Sequence, residues 1–163
     1  MLKPTENAQW LKKIPTPLFK ILAQSWIDKD WPRHLFVETT AACQLNCPYC
    51  PREDKIDEMP FELFKTIIDE GKHYGERSYS IHLFGESLLC SYWYEATKYI
   101  KSVNKKNLVL LTTNGILLNK EVDRLIQANP DKVIWSWRPE AKFTQETKEK
   151  LRKWGKFQVR ILK

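Results

Sequence analysis

Three of the four cysteines stand together, as Cys43-Gln-Leu-Asn-Cys47-Pro-Tyr-Cys50. Thiolates this close on one loop can wrap a single metal centre, and such a cluster in a reducing compartment binds metal more often than it pairs as disulfides. Two centres suit three cysteines. A [4Fe–4S] cluster normally takes four, so three leave one iron open to a small ligand. A zinc ion needs a fourth protein ligand, for which His34 and His82 are candidates. Three incidental buried thiols are the bland alternative. Cys90, alone at the start of a helix, reads as a small core hydrophobe.

The elements that must hold this loop follow from Gly and Pro punctuation and from hydrophobic period. Residues 34–39 are β-branched and aromatic and predict a first strand, so the cysteines sit just beyond its C-terminal end. Met59-Pro60 opens a helix carrying Phe61, Phe64, Ile67 and Ile68, closed by Gly71. A strand over about 78–84 and a helix near 91–102 with Trp93, Ala96 and Ile100 on one face come next. The almost wholly apolar run at 107–112 predicts a third strand covered on both sides. Asn119 is positioned to cap a helix with Val122, Leu125 and Ile126, stopped by Asn129-Pro130. Residues 132–137 predict a fourth strand, Thr144 a cap for a helix ending at Gly155, and 157–162 a fifth strand.

Each connection is long enough for a crossover helix, which predicts an α/β fold: an open parallel (β/α) partial barrel of the TIM type, with about five strands. The C-terminal ends of the strands then form the rim where a ligand sits. Residues 1–33 read as an extension, with a short amphipathic helix over 17–27 packed on the sheet, and residues 34–163 as the core.

Cys-x3-Cys-x2-Cys after strand one of such a repeat resembles the radical S-adenosylmethionine (radical SAM) superfamily, and further motifs follow in order. Phe84-Gly85-Glu86-Ser87 resembles the family's Gly-Gly-Glu-Pro segment, with Phe84 for the first Gly and Ser87 for the Pro. Thr113-Asn114-Gly115 resembles its Thr-Asn-Gly segment. The resemblance implies that Cys43, Cys47 and Cys50 hold a [4Fe–4S] cluster whose open iron is chelated by SAM. Reductive cleavage then gives methionine and a 5′-deoxyadenosyl radical that abstracts hydrogen from a substrate. It also implies roles along the rim: Tyr49 near the adenine, the Gly85-Glu86 backbone on the SAM amino group, Ser136 on the ribose, and Asn114 and Ser87 within their motifs. Arg138, on the Ser136 face of strand four, is a candidate partner for the SAM carboxylate. The roles of Glu38, His82 and Arg160 stay open: Glu38 shares the Phe36 face at the end of strand one, His82 reads equally as an interior ligand contact or a core histidine, and Arg160 reads as marking the solvent side of strand five. Against the usual six-strand core, the chain reads as shortened, lacking strand six and a C-terminal substrate cover.

Composition bounds the function classes. The chain has 163 residues, 42% of them hydrophobic, and no apolar stretch of the ~18 residues a membrane span needs. A cytoplasmic enzyme is expected, drawing electrons from a flavodoxin- or ferredoxin-type donor. The net charge is +7, and residues 141–163 alone hold eight basic side chains against Glu146 and Glu149. A solvated helix face with Glu146–Lys150 and Glu149–Lys153 pairs explains that excess, and a nucleic-acid surface is its rival. Two further readings stand: an activase installing a radical on a partner protein, and a zinc- or cluster-stabilised RNA-binding module. The free edge of strand five invites cover by a partner or second copy.

Overall fold

In the computed structural model, which describes residues 31–52 and 57–160, five strands form one sheet. They are β1 (His34–Phe36), β2 (Ser78–Ser80), β3 (Leu108–Thr113), β4 (Lys132–Ser136) and β5 (Phe157–Arg160). Every neighbouring pair is parallel, and spatial order follows chain order from β1 to β5. Four helices supply the crossovers: α1 (Phe61–Gly71), α2 (Trp93–Val103), α3 (Leu118–Ala128) and α4 (Gln145–Trp154). Strictly sequential parallel order is the pattern of a barrel wall rather than of a doubly wound sheet, where the order reverses at a switch point. The predicted α/β architecture is therefore the observed one. The expected helix at 17–27 lies outside the described residues, as do 161 and 162 of the fifth strand.

Alternation along the strands decides which face is the core. Val37, Tyr79, Ile81, Val109, Leu111 and Val133 are buried against Phe64, Ile68, Trp93, Ala96, Ile100, Leu118 and Leu125 of the helices. The opposite face carries His34, Phe36, His82, Leu108 and Thr112, with Phe36 and Leu108 exposed. Cover on both sides of β3 was expected from its apolar run. Among the described residues the helices cover one side, and the other is the inward face of the curved wall.

Two helix boundaries differ from expectation. Gly71 has ordinary helical backbone, and a 3₁₀ turn at Lys72–Tyr74 carries the chain on to Gly75, whose φ of 82° makes the break. Asn119 lies inside α3, one residue past its start, rather than capping it. Its side chain is spent on the loop before α4, donating to the Lys142 carbonyl at 2.8 Å and accepting from the Thr144 N–H at 3.0 Å. The other ends behave as read. Thr144 Oγ1 accepts from the Thr147 N–H at 3.2 Å, while Asn129 and Gly155 close α3 and α4 in the left-handed conformation.

The basic segment is partly neutralised by its own neighbours. Lys150 pairs with Glu146 at 2.7 Å and also with Asp123 of α3 at 2.8 Å, while Glu149 accepts from Gln145 at 3.5 Å. No helix among the described residues is long and apolar enough to cross a membrane. Leu111 is buried in β3 between α-helical side chains and the sheet, so Leu111→Ala is expected to lower unfolding free energy by about 3 kcal/mol through lost burial and a residual cavity. Urea denaturation of the two proteins measures it.

Candidate active site

The site is built at the C-terminal ends of the strands, where the chain leaves β1 and enters the cysteine loop. That loop is pinned at its neck by a two-residue antiparallel bridge, Thr40 to Glu58. There the Ala41 N–H donates to the Asp57 carbonyl and the Met59 N–H to the Thr39 carbonyl, each at 2.9 Å. Within the loop the Cys50 N–H turns back onto the Cys47 carbonyl at 2.9 Å, and Arg52 Nη2 donates to the Leu45 carbonyl at 3.2 Å.

The segment after β2 is pressed against this neck. A Cβ on Gly85 would lie 1.9 Å from the Thr40 carbonyl oxygen, so only glycine allows the approach. The group so approached is the protein's own backbone. Phe84 and Gly85 donate their N–H groups to Glu38 Oε1 at 2.8 and 3.2 Å, and the Glu86 N–H donates to the Ala42 carbonyl at 2.8 Å. Ser87, in the motif's Pro position, is 1% exposed and donates its hydroxyl to the Thr112 carbonyl at 2.9 Å. That hydroxyl fastens the loop to β3.

Glu86 joins the two rim segments. Its carboxylate is buried and accepts from the Asn114 N–H at 2.7 Å and the Leu88 N–H at 3.2 Å. Burial pushes its carboxyl above the usual range, against the pull of the Asn114 N–H, the Thr113 hydroxyl and the Leu88 N–H. Asn114 in turn reaches the cysteine loop, with Nδ2 3.0 Å from Gln44 Oε1 and 3.7 Å from Cys43 Sγ. Its carbonyl accepts from Trp135 Nε1 at 3.0 Å, and Gly115, at φ 90°, leaves room for that indole.

These segments enclose a cavity of about 320 Å³. Cys43, Cys47 and Cys50 line it, with Tyr49, Gly85, Glu86, Asn114, Ser136 and Arg138 among the expected residues. His82 and Arg160, whose roles were open, line it too. The Tyr49 ring is exposed, and the Arg138 guanidinium lies 5.7 Å from its centroid. Arg138 Nη1 donates to the Trp137 carbonyl at 2.8 Å, while its Nε is buried without a protein partner. Trp135 packs on Phe143 and Phe157, whereas Trp137 stays out of that cluster. It follows the strand end and is exposed, held by its N–H to the Arg160 carbonyl at 2.9 Å. Cys90 is buried, and burial pushes its thiol up to about 11, the behaviour of an inert core residue.

A tetrahedral zinc needs a fourth protein ligand beside three thiols. Of the two histidine candidates, His34 Nε2 lies 3.0 Å from Ser80 Oγ. An iron–sulfur cluster places its cysteines on different irons, and three cysteines lining one cavity supply such a set. An N–H donor directed at one thiol is a further fit, since hydrogen bonds to sulfur tune such clusters.

The family model of the radical SAM superfamily matches residues 37–135. The chain belongs to the radical SAM superfamily. Members are enzymes that use a [4Fe–4S] cluster and SAM. A probable GTP 3′,8-cyclase of Methanococcus maripaludis is 34% identical over 105 residues, covering 62% of this chain and 35% of the relative. A GTP 3′,8-cyclase of Chlorobaculum tepidum is 30% identical over 100 residues, covering 60% and 30%. The chain thus spans about a third of the length of these curated relatives. Among solved structures, BtrN in complex with AdoMet and 2-DOIA superposes with a TM-score of 0.64 at 22% identity, covering 78% of this chain and 55% of that one. Streptococcus suis SuiB bound to precursor peptide SuiA gives 0.60 at 17% identity, covering 90% and 38%. At these identities the two structures support the fold.

Radical SAM membership leaves His82 as the rim residue that motif reading placed least. Its Nδ1 is buried without a protein partner, its ring meets Phe36 edge-on at 5.9 Å, and burial, with His34 adding to it, lowers its pKa to about 4. Between pH 6.5 and about 4 the unfolded chain takes up a proton that the folded chain refuses. The contribution of His82 to folding stability is therefore complete above pH 6.5 and is lost as pH drops through that window, by about 3 kcal/mol. His82→Gln should flatten that part of the pH profile relative to the unsubstituted protein, as denaturant titrations from pH 4 to 7 would show.

Proposed function

We propose that this chain cleaves SAM reductively at the cavity on its strand ends and directs the resulting radical at a substrate bound over the inward face. One observation carries the reading: three cysteines of the Cx3Cx2C loop open on the same cavity as Gly85, Glu86, Asn114, Ser136 and Arg138. Cys43, Cys47 and Cys50 would hold a [4Fe–4S] cluster. The chemistry that a bound cluster and SAM would supply is cleavage of SAM to methionine and a 5′-deoxyadenosyl radical, with the electron drawn from a flavodoxin- or ferredoxin-type donor and hydrogen then taken from the substrate.

The protein's part is to bind and orient. The Arg138 guanidinium, with a buried Nε lacking a protein partner, is suited to the SAM carboxylate. Ser136 faces the same cavity and can bond the ribose, while the exposed Tyr49 ring offers a surface for the adenine. Asn114 holds its side-chain N–H on Cys43 because Glu86 fixes its backbone and Trp135 its carbonyl. The unpartnered Nδ1 of a neutral His82 can bond a polar substrate group, and Arg160 at the open end favours an anionic one. The curated relatives make a nucleoside triphosphate the first class of substrate to try. Such chemistry belongs in a reducing, cytoplasmic setting.

Anaerobic reconstitution with iron and sulfide tests this. The protein should take up about four irons, and with dithionite and SAM it should release 5′-deoxyadenosine. Cys47→Ala should lose both properties, by more than ~100-fold in the rate of cleavage. Uptake of a single zinc with no 5′-deoxyadenosine formed would overturn the proposal.

A further inference from the structure

Glu38 has a role that the cysteine loop and the cofactor motifs leave unassigned. It follows β1, yet its carboxylate bonds across to the segment after β2, accepting from both the Phe84 and Gly85 N–H groups on a single oxygen. The next N–H, of Glu86, points to the Ala42 carbonyl. Three consecutive peptide groups therefore turn their N–H ends toward β1 and the start of the cysteine loop.

No peptide bond among the described residues is cis. In a planar trans peptide the carbonyl points opposite to the N–H. The carbonyls of Leu83, Phe84 and Gly85 consequently leave on the far side of the segment from Glu38 and Ala42, as a row of three. Leu83, Phe84 and Gly85 all line the cavity that the three cysteines line. A row of carbonyl oxygens is the counterpart of the backbone N–H nest that binds anions, and it suits a group that presents N–H donors, such as an amino nitrogen. A carboxylate accepting the N–H groups polarises those peptides further, which strengthens their carbonyls as acceptors.

We propose that Glu38 is a positioning residue for SAM: it orients the Leu83–Gly85 carbonyls to receive the N–H groups of the SAM amino nitrogen. The inference rests on the SAM-binding reading above and adds to it the residue that sets the pose. It also accounts for Phe84 at a position where the family motif has glycine. The backbone shape there is imposed from outside by the Glu38 carboxylate, so a side chain at residue 84 is tolerated.

Glu38→Gln and Glu38→Leu separate this role from plain scaffolding. Gln keeps an oxygen acceptor without the charge, and Leu leaves both N–H groups unpaired. Hydrogen exchange on the metal-free protein should show faster exchange at Phe84 and Gly85 in the Leu variant. In the reconstituted proteins the KM for SAM in 5′-deoxyadenosine formation should rise ~3–10-fold with Gln and more than ~10-fold with Leu, as expected for loss of a charge-assisted hydrogen bond. The kcat and the iron content should stay within about twofold. Should the Leu variant fail to fold, the near-isosteric Gln variant decides. An unchanged KM in the folded variants, or a loss of kcat as steep as the gain in KM, overturns the role of Glu38. If the unsubstituted protein cleaves no SAM, the underlying reading fails instead.

Discussion

One buried carboxylate holds the rim together. Glu86 is 3% exposed, and a carboxyl group at that depth is tolerable only because backbone N–H groups of two different segments point at it. Those N–H groups come from the turn after β2 and from Asn114 after β3, so satisfying the carboxyl oxygens fixes the distance between two strand ends. Asn114 passes that constraint on to the cysteine loop through Gln44 and Cys43, and to β4 through Trp135. The cavity is the space left between segments that this network has already placed.

The remaining architecture supplies the strand ends. Parallel β1 to β5 in chain order, with the described helices on one face, bring all the exit loops to one rim and leave the inward face lined by His34, His82, Ser136 and Arg160. Close contact between Gly85 and the Thr40 carbonyl then seats the β2 exit against the cysteine neck. Rigid placement of this kind is what cofactor enzymes contribute, since the difficult chemistry resides in the cofactor while the protein orients it and shields it from water.

Much of this was legible in the sequence because it is local. Cysteine spacing, strand alternation and the helical period of Phe64 and Ile68 or Trp93, Ala96 and Ile100 depend on neighbours within a few residues. What stayed hidden was long-range. Nothing near Glu38 indicates that its partners are the N–H groups of Phe84 and Gly85, and nothing near Ser87 points to the Thr112 carbonyl. Asn119 looked like a cap because Asn favours that place, but the Lys142 carbonyl and Thr144 N–H compete for the same side chain and win. The apolar run of β3 predicted cover on both faces, since periodicity cannot distinguish a second helix layer from the inward wall of an open barrel.

The central claim is that the three cysteines leave one iron for SAM to chelate within the cavity beside the Leu83–Glu86 segment. Magnetic resonance of the reduced, reconstituted protein with SAM carrying an isotopic label on its amino nitrogen addresses this directly. The account predicts a hyperfine coupling between the label and the cluster, present with all three cysteines and absent when no SAM is added. A cluster whose spectrum is indifferent to SAM, with no coupling to the label, would contradict it.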